Sequence, residues 1–456
     1  MFFNRIANRL FVHYSGGGIR LKVTPTFLSL SCHSNGICLH RCYVIVNIKR
    51  SKIFNSTSNL NRNVTTTVNA DDKIIAIQEV TRYMIQCMIK TGTSESHAKQ
   101  LADVLVAADI RGHYSHGLNR LGMYVRDMQE GICMKDGVPK ILKENAASAW
   151  IDGNNLLGPV VGNFCMDIAI KKAKEAGVGW VVAKGSNHFG IAGWYSIRAM
   201  NEGLLGMAFT NTSPIMYPTR SSVAALGTNP LTLAAKAKND TFILDMATTT
   251  AAIGKVEIAA RKEQTVPDTW GVGKDGYVSN DPAKILDGGG LLPLGGSELT
   301  GGYKGYCLGA LVEIICGVLG GAQWGPHVRQ WMSTAAVANL GQCFIAINPN
   351  EFAPNFENRL QEFIDAMRGL KSVDNKQVLV AGDPENEHIA LVEKYGGIPY
   401  HPNQINYAVS KIILSLFSSF LFSFKFKNKF KKKKKTFQEE LAKTLGVSAM
   451  ITKSTV

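Results

Sequence analysis

Apolar residues recur along this chain at spacings that predict both helices and strands. From Asp71 onward they share one broad face at helical spacing and predict a first helix; they are Ile74, Ile75, Ile77, Val80, Met84 and Met88. The same periodicity and several glycine stops predict further helices at 95–110, 118–130, 167–175, 305–319, 356–367 and 385–395. Short apolar runs between them predict strands at 177–184, 204–211, 230–237 and 241–247. Because helices and strands alternate through the middle of the chain, the predicted class is α/β.

Basic residues are concentrated in two segments outside this alternating region. The 456-residue chain is 45% hydrophobic and 19% charged, which excludes fully disordered and polytopic membrane proteins. Its net charge of +15 would by itself favour an acidic partner. Residues 1–70 and 411–435 each hold nine basic residues and no acid, so the remaining 32 basic and 35 acidic residues leave the rest slightly negative. The charge therefore gives no reason to expect nucleic acid as a partner.

The basic leader, residues 1–70, has two interpretations. Its Arg, Ser and Asn content without acids is typical of a mitochondrial transit peptide. The alternative is untranslated or mis-spliced sequence carried into the chain. We expect a cytoplasmic protein, or a mitochondrial one if the leader is a genuine transit peptide.

The second basic segment, residues 405–435, combines a short apolar run with a lysine tract. A membrane anchor with a polybasic flank is one interpretation, although the apolar part is short for a membrane span. We favour a translated intron, because globular sequence resumes with a capping box at Thr436 and Glu439. The predicted division is a leader (1–70), a main domain (71–404), an insert (405–435) and a C-terminal helix (436–456).

Familiar short motifs give little guidance. Gly271, Gly273 and Gly276 form a GxGxxG pattern, but no strand leads into it and no helix follows directly, so a surface turn is predicted. The nine cysteines include no CxxC pair, and no zinc-ligand spacing is completed, so neither a disulfide scaffold nor a metal site is expected.

His188 is the first candidate for chemistry. It follows a predicted strand and has glycines nearby, at positions 185 and 190, that would let a ligand approach. A histidine titrates near neutral pH, so it can exchange a proton with a hydroxyl or carbonyl oxygen. The alternative is a solvent-exposed loop histidine.

Ser115, His116 and Arg120 form a second candidate group at the start of the predicted third helix. Arg120 lies four residues after His116, on the same helix face, and Tyr124 follows one turn later. Arginine suits bidentate binding of a carboxylate. In the alternative interpretation Ser115 only caps the helix and Arg120 is a solvated charge.

Two further residues have open roles. Lys304 lies in a glycine-rich approach to an apolar helix, where it could meet phosphate or extend into solvent. Asp245 ends a predicted strand, where a carboxylate could bind a ribose hydroxyl or cap the next helix.

Six motifs taken together resemble the type-2 malate/L-lactate dehydrogenase family, which is unrelated to Rossmann-fold lactate and malate dehydrogenases. In chain order they are SHGLNR, GSNHFGIAGWYS, NTSP, LGTNP, DMATT and GGYKGYCLG. The resemblance implies a non-Rossmann α/β fold, hydride transfer between NAD or NADP and a 2-hydroxy acid, and a homodimer. Malate and L-lactate are the leading substrates.

The resemblance also implies roles for residues of this chain. His188 is expected to be the acid/base and Arg120 to bind the substrate carboxylate, with Ser115, His116 and Tyr124 completing the substrate pocket. Residues expected to meet the cofactor are Thr212, Ser213, Asp245, Met246, Ala247, Thr248 and Lys304. The chain departs from the family pattern at IMYPTRSS after NTSP, which is poorer in glycine, and at Cys307, where glycine is usual.

Two other functional hypotheses remain at this stage. A protein that binds membranes or nucleic acid through basic residues would carry them across its folded surface, which the slightly acidic main domain does not favour. An inactive relative would have lost site residues, whereas Ser115, His116, Arg120, His188 and Lys304 are all retained.

Overall fold

The computed structural model describes residues 68–261, 263–409 and 412, together with the backbone of two strands near the N-terminus. The chain divides into two units, residues 1–65 and 66–456. The described part of the first is an antiparallel hairpin of β1 (Phe11–Ser15) and β2 (Gly18–Lys22). Most of the predicted leader, the insert from residue 413 and the predicted helix at 436–456 lie outside the described residues.

The second unit contains both strands and helices, as the sequence predicts. Its strands are β3 (Lys73–Ile75), β4 (Lys140–Glu144), β5 (Ser148–Asp152), β6 (Val178–Ser186), β7 (Leu205–Thr210), β8 (Leu231–Lys236), β9 (Thr241–Met246), β10 (Gly271–Val272), β11 (Gly290–Leu291), β12 (Leu340–Ile347) and β13 (Ile398–Tyr400). Its helices are α1 (Ile77–Ile89), α2 (Glu95–Ile110), α3 (Leu118–Gln129), α4 (Gly158–Ala176), α5 (Gly193–Asn201), α6 (Ile253–Arg261), α7 (Pro282–Leu286), α8 (Gly302–Glu313), α9 (Phe356–Arg368) and α10 (Asp383–Tyr395). A π-helical turn, Ile314–Val318, continues α8.

A seven-stranded mixed sheet forms the centre of this unit. Its order is β4-β5-β6-β12-β7-β8-β9. Strands β5 and β6 are parallel, and the other neighbouring pairs are antiparallel. The α/β prediction is therefore confirmed, and so are the four predicted strands, which became β6 to β9.

Two predicted helices have different starts in the structure, although the predicted segment 167–175 is helical throughout. The first helix begins at Ile77 rather than near Asp71, because Lys73–Ile75 forms β3 and pairs with β13. The fourth helix begins at Gly158, nine residues before the predicted 167, because small and apolar residues there pack inside the core. The predicted helices at 95–110 and 118–130 are confirmed by α2 and α3.

Both faces of the sheet are covered, and alternate residues of one strand point to opposite sides. Val181 and Ala183 of β6 join a large core with α4 and α5, while Val182 packs on the other face with Val312 and Cys316 from α8 and the π-helical turn. Burial on both sides explains why β6 reads as a nearly continuous apolar run.

A buried carboxylate on α8 forms hydrogen bonds with residues at the ends of the sheet strands. Glu313 of α8 accepts hydrogen bonds from the side-chain amides of Asn211 and Asn229, both at 2.7 Å, and from the Gly325 N–H at 2.8 Å. Asn211 in turn accepts from the Gly341 N–H in β12 at 2.9 Å. These bonds fix the chain just after β7 and just before β8, where the NTSP and LGTNP motifs lie.

The GxGxxG segment is a surface turn, as predicted. The short strand β10 pairs with β11, and the Gly273 N–H donates to the Tyr277 carbonyl at 2.9 Å. Gly276 has a φ of 79°, a left-handed conformation that favours glycine.

Residues 402–409 are helical, so this helix begins at the end of the predicted main domain and continues into the predicted insert. The side chains of Ala408 and Ile412 are buried in the main core. The domain division remains a prediction, but this helix places the first residues after 404 on the folded body. In the ranges that the structure describes, no helix is long and apolar enough to cross a bilayer.

Candidate active site

One cavity of about 360 Å³ brings most of the predicted site residues together. It is bordered by the turn before α3, the loop after β6, the segment after β7 and the chain from the end of β9 into α6. The predicted residues that line it are Ser115, His116, Arg120, His188, Thr212, Ser213, Asp245, Met246 and Ala247. The structure therefore unites four distant motifs at one place.

His188 is held at the wall of this cavity through one ring nitrogen. Its Nδ1 lies 2.6 Å from the Tyr124 hydroxyl and 3.3 Å from the Gly190 nitrogen, whose N–H can donate to it in the tautomer with no proton on Nδ1. The main chain is fixed as well, because a Cβ at Gly158 would lie 2.3 Å from the His188 carbonyl oxygen. With Nδ1 engaged on the protein side, Nε2 is the nitrogen left for a substrate.

The Tyr124 hydroxyl satisfies either tautomer of His188. It can donate to Nδ1, or accept from an Nδ1–H and donate to the His188 carbonyl oxygen at 3.4 Å. Tyr124 is buried and its hydroxyl contacts His188 rather than lining the cavity, and its contact with substrate stays a prediction.

The charge state of His188 follows from its surroundings. Burial, and after it the positive charges of Arg120 and Arg329, lower the pKa of His188 to about 3. His188 is therefore neutral at physiological pH and can accept a proton.

Arg120 is oriented by three neighbours. Its Nε donates to the Ser115 carbonyl at 2.7 Å, and its guanidinium lies 5.3 Å from the centre of the Trp331 ring. The terminal Nη2 is 4.0 Å from the Glu257 carboxylate, at the limit of an ion pair. A guanidinium held through Nε keeps its terminal nitrogens for a carboxylate.

His116 stacks on His188, with ring centroids 5.7 Å apart, and its Nδ1 lies 2.9 Å from the Ser115 hydroxyl. Burial and then the neighbouring positive groups hold the pKa of His116 well below its usual value, so it too is neutral. Ser115 does not cap α3; the Leu118 N–H donates instead to Asp109 at 2.8 Å.

The opposite wall is lined with hydroxyl groups. The Thr212 hydroxyl accepts from the Thr228 N–H at 2.9 Å, and a Cβ at Gly227 would lie only 1.9 Å from that hydroxyl oxygen. Asp245 accepts from the Gly193 N–H at 2.7 Å, so it binds the start of α5 rather than capping the next helix along the chain. Hydroxyl and carboxylate oxygens beside small residues fit the ribose and carboxamide groups of a nicotinamide cofactor.

Two residues predicted to meet the cofactor lie off this wall. The Thr248 hydroxyl is buried and donates to the Thr228 carbonyl at 3.0 Å. Lys304 is exposed in the first turn of α8, with its ammonium 5.9 Å from the Tyr303 ring centre. Neither Thr248 nor Lys304 lines the cavity that this chain forms.

Sequence reasoning missed Trp331, which covers both candidate catalytic side chains. Its ring lies 5.9 Å from that of His188. The segment is anchored by Arg329, whose guanidinium contacts Asp127 of α3 at 2.8 Å and the Ser333 carbonyl at 3.0 Å. This segment has no periodic pattern that would reveal its position; only the single aromatic residue could have drawn attention to it.

Comparison with known proteins identifies the family. Residues 75–407 match the malate/L-lactate dehydrogenase family. The chain belongs to that family. The resemblance seen in the six motifs is thereby confirmed.

Individual members of the malate/L-lactate dehydrogenase family agree with this assignment. A malate dehydrogenase from Pyrococcus abyssi is 38% identical over 67% of this chain and 85% of its own length. An L-sulfolactate dehydrogenase from Methanocaldococcus jannaschii is 39% identical over 67% of this chain and 88% of its own. The structure of a malate dehydrogenase from Pyrococcus horikoshii superposes with a TM-score of 0.70 at 33% identity, covering 77% of this chain and 97% of that one. These relatives are dehydrogenases, and the family implies a nicotinamide cofactor.

Tyr124→Phe tests the contact with His188. Removing the hydroxyl leaves the protonated imidazole without its Nδ1 acceptor, a loss of about 1.5–3 kcal/mol for a hydrogen bond to a charged group. We expect kcat to fall about 10- to 100-fold while KM changes little. Steady-state kinetics measure this, with the exposed Tyr277→Phe as control. An unchanged kcat would show that Tyr124 does not support His188.

Proposed function

We propose that this protein interconverts a small 2-hydroxy acid and its 2-keto acid by hydride transfer with NAD or NADP. The observation that carries the proposal is the pairing of His188 and Arg120 on one cavity, opposite a hydroxyl-lined wall. Malate and L-lactate are the leading substrates, and the relatives named malate and sulfolactate dehydrogenase support a hydroxy acid of this kind.

In the oxidative direction, Arg120 binds the substrate carboxylate and so places the adjacent C2 hydroxyl next to His188. In the tautomer that carries its proton on Nδ1, neutral His188 donates from Nδ1 to the Tyr124 oxygen and accepts the substrate hydroxyl proton at Nε2. A nicotinamide bound along the hydroxyl-lined wall supplies the hydride acceptor. Trp331 packs against Arg120 and His188 and helps to hold both side chains in place.

In the reductive direction, His188 must be protonated before it can give its proton to the carbonyl oxygen. The substrate carboxylate offsets the charge of Arg120, which otherwise lowers the pKa of His188. Binding of an anionic substrate therefore raises that pKa and makes the protonated form accessible. Binding and protonation are linked through one arginine.

A substrate and cofactor panel tests the proposal. Full-length protein is assayed with pyruvate and oxaloacetate, each with NADH and NADPH. We expect turnover with at least one pair, and His188→Ala should lower the rate by at least ~10²-fold because the acid/base is lost. The surface variant His327→Ala is the control. Absence of turnover with every pair would refute the dehydrogenase proposal.

The pH dependence of keto-acid reduction gives a separate prediction. Because the pKa of His188 in the free protein is lowered to about 3, the protonated fraction falls tenfold per pH unit across the neutral range. We expect log kcat/KM for reduction to fall with a slope near −1 between about pH 5.5 and 8.5, and kcat/KM for oxidation to show no rise attributable to His188 there. A plateau ending near pH 7 in the reductive profile would contradict this.

We also propose that the protein is a homodimer, as the family resemblance implies. Support comes from α8 and its π-helical turn, where Leu311, Ile314, Val318 and Leu319 are between 45% and 61% exposed. Such an apolar stripe is typical of a buried interface. We expect light scattering to give twice the chain mass, and Ile314→Asp to give the monomer, with exposed Val373→Asp as control. A monomeric wild type would refute the proposal.

A further inference from the structure

The rim of the cavity carries a cation that neither the sequence motifs nor the mechanism uses. Lys255 lies in the first turn of α6, lines the cavity and is exposed at its mouth. Lysine is a compact charge on a flexible four-carbon stem, so it can follow the charged end of a ligand.

The position of Lys255 relative to Arg120 is fixed by the glycine before it. A Cβ at Gly254 would lie 3.0 Å from the Ser115 Cβ and 3.6 Å from the Arg120 Nη2. The start of α6 therefore packs against the part of the cavity that holds the substrate carboxylate. Lys255 follows directly, is exposed and lines the same cavity.

Lys255 has no charge partner in the part of the chain that the structure describes. No carboxylate lies within 4.0 Å of its ammonium and no hydrogen bond is made there. The acid two residues later, Glu257, faces Arg120 instead, and Asp245 is bound to the Gly193 N–H. An anion that enters this end thus meets two cations, Arg120 inside and Lys255 at the rim.

We infer that Lys255 binds a second anionic group of the substrate, so that the preferred substrate is a 2-hydroxy acid with a distal carboxylate or sulfonate. This inference rests on the proposed dehydrogenase function and narrows its substrate class. Arg120 holds the carboxylate next to the reacting carbon, and Lys255 pairs with the anion at the other end. A monocarboxylate such as L-lactate leaves Lys255 unpaired.

Kinetics with paired substrates test the inference on the full-length protein. Oxaloacetate and sulfopyruvate carry the distal anion, and pyruvate lacks it. We expect the wild type to prefer the two dianions by kcat/KM. Lys255→Met should lower kcat/KM for both about 10-fold, mainly through KM, and leave pyruvate within about twofold, because one hydrogen bond to a charged group is lost. Lys255→Arg should restore most of the loss, and the exposed Lys371→Met is the matched control.

The outcomes separate this inference from the proposed function. An equal loss with pyruvate, or a rise in the KM of the reduced cofactor, would assign Lys255 to the cofactor and overturn the inference. Unchanged kinetics of Lys255→Met with oxaloacetate and sulfopyruvate would also overturn it, while dehydrogenase activity stands. A loss with only one of the two dianions would identify which anion the site accepts. Absence of turnover by the wild type would refute both.

Discussion

The buried Glu313 carboxylate is the constraint on which the cavity depends. A buried charge is tolerated only when it is fully hydrogen-bonded, and three donors from separate segments supply this. Two of them, Asn211 and Asn229, lie just after β7 and just before β8. Their neighbours Thr212 and Thr228 are thereby brought into contact and form the hydroxyl-lined wall. In the NTSP and LGTNP motifs, therefore, the asparagines hold the fold together and the threonines line the cavity.

The electrostatics of the site are incomplete without an anion. Arg120 and Arg329 both depress the pKa of His188, and His116 is held neutral by the same surroundings. Burial is the main reason that both imidazoles stay uncharged, and the positive charge near them acts in the same direction. A negatively charged ligand is the natural complement, since it lowers the free energy of both the arginines and a protonated histidine.

Sequence patterns predicted much of the fold and the central pair of the site. The strands β6 to β9 have clear apolar runs, and His188 and Arg120 stand in distinctive contexts. The central strand β12 was not predicted, because Gly341 and Gln342 interrupt its apolar pattern. In the fold, Gly341 packs tightly on Cys316, and the buried Gln342 side chain forms hydrogen bonds with Ser186 and Asn187. Those tertiary contacts, like the placement of Trp331, have no local signature. Tyr124 was found, but its partner could be known only from the folded geometry.

The Asp127–Arg329 contact has a consequence for the position of Trp331. Both side chains are largely buried, so moving the Trp331 segment away from α3 would break a charge-assisted hydrogen bond of 2.8 Å. The contact therefore couples the position of Trp331, and with it the Arg120 side of the cavity, to the helix that carries Arg120 and Tyr124.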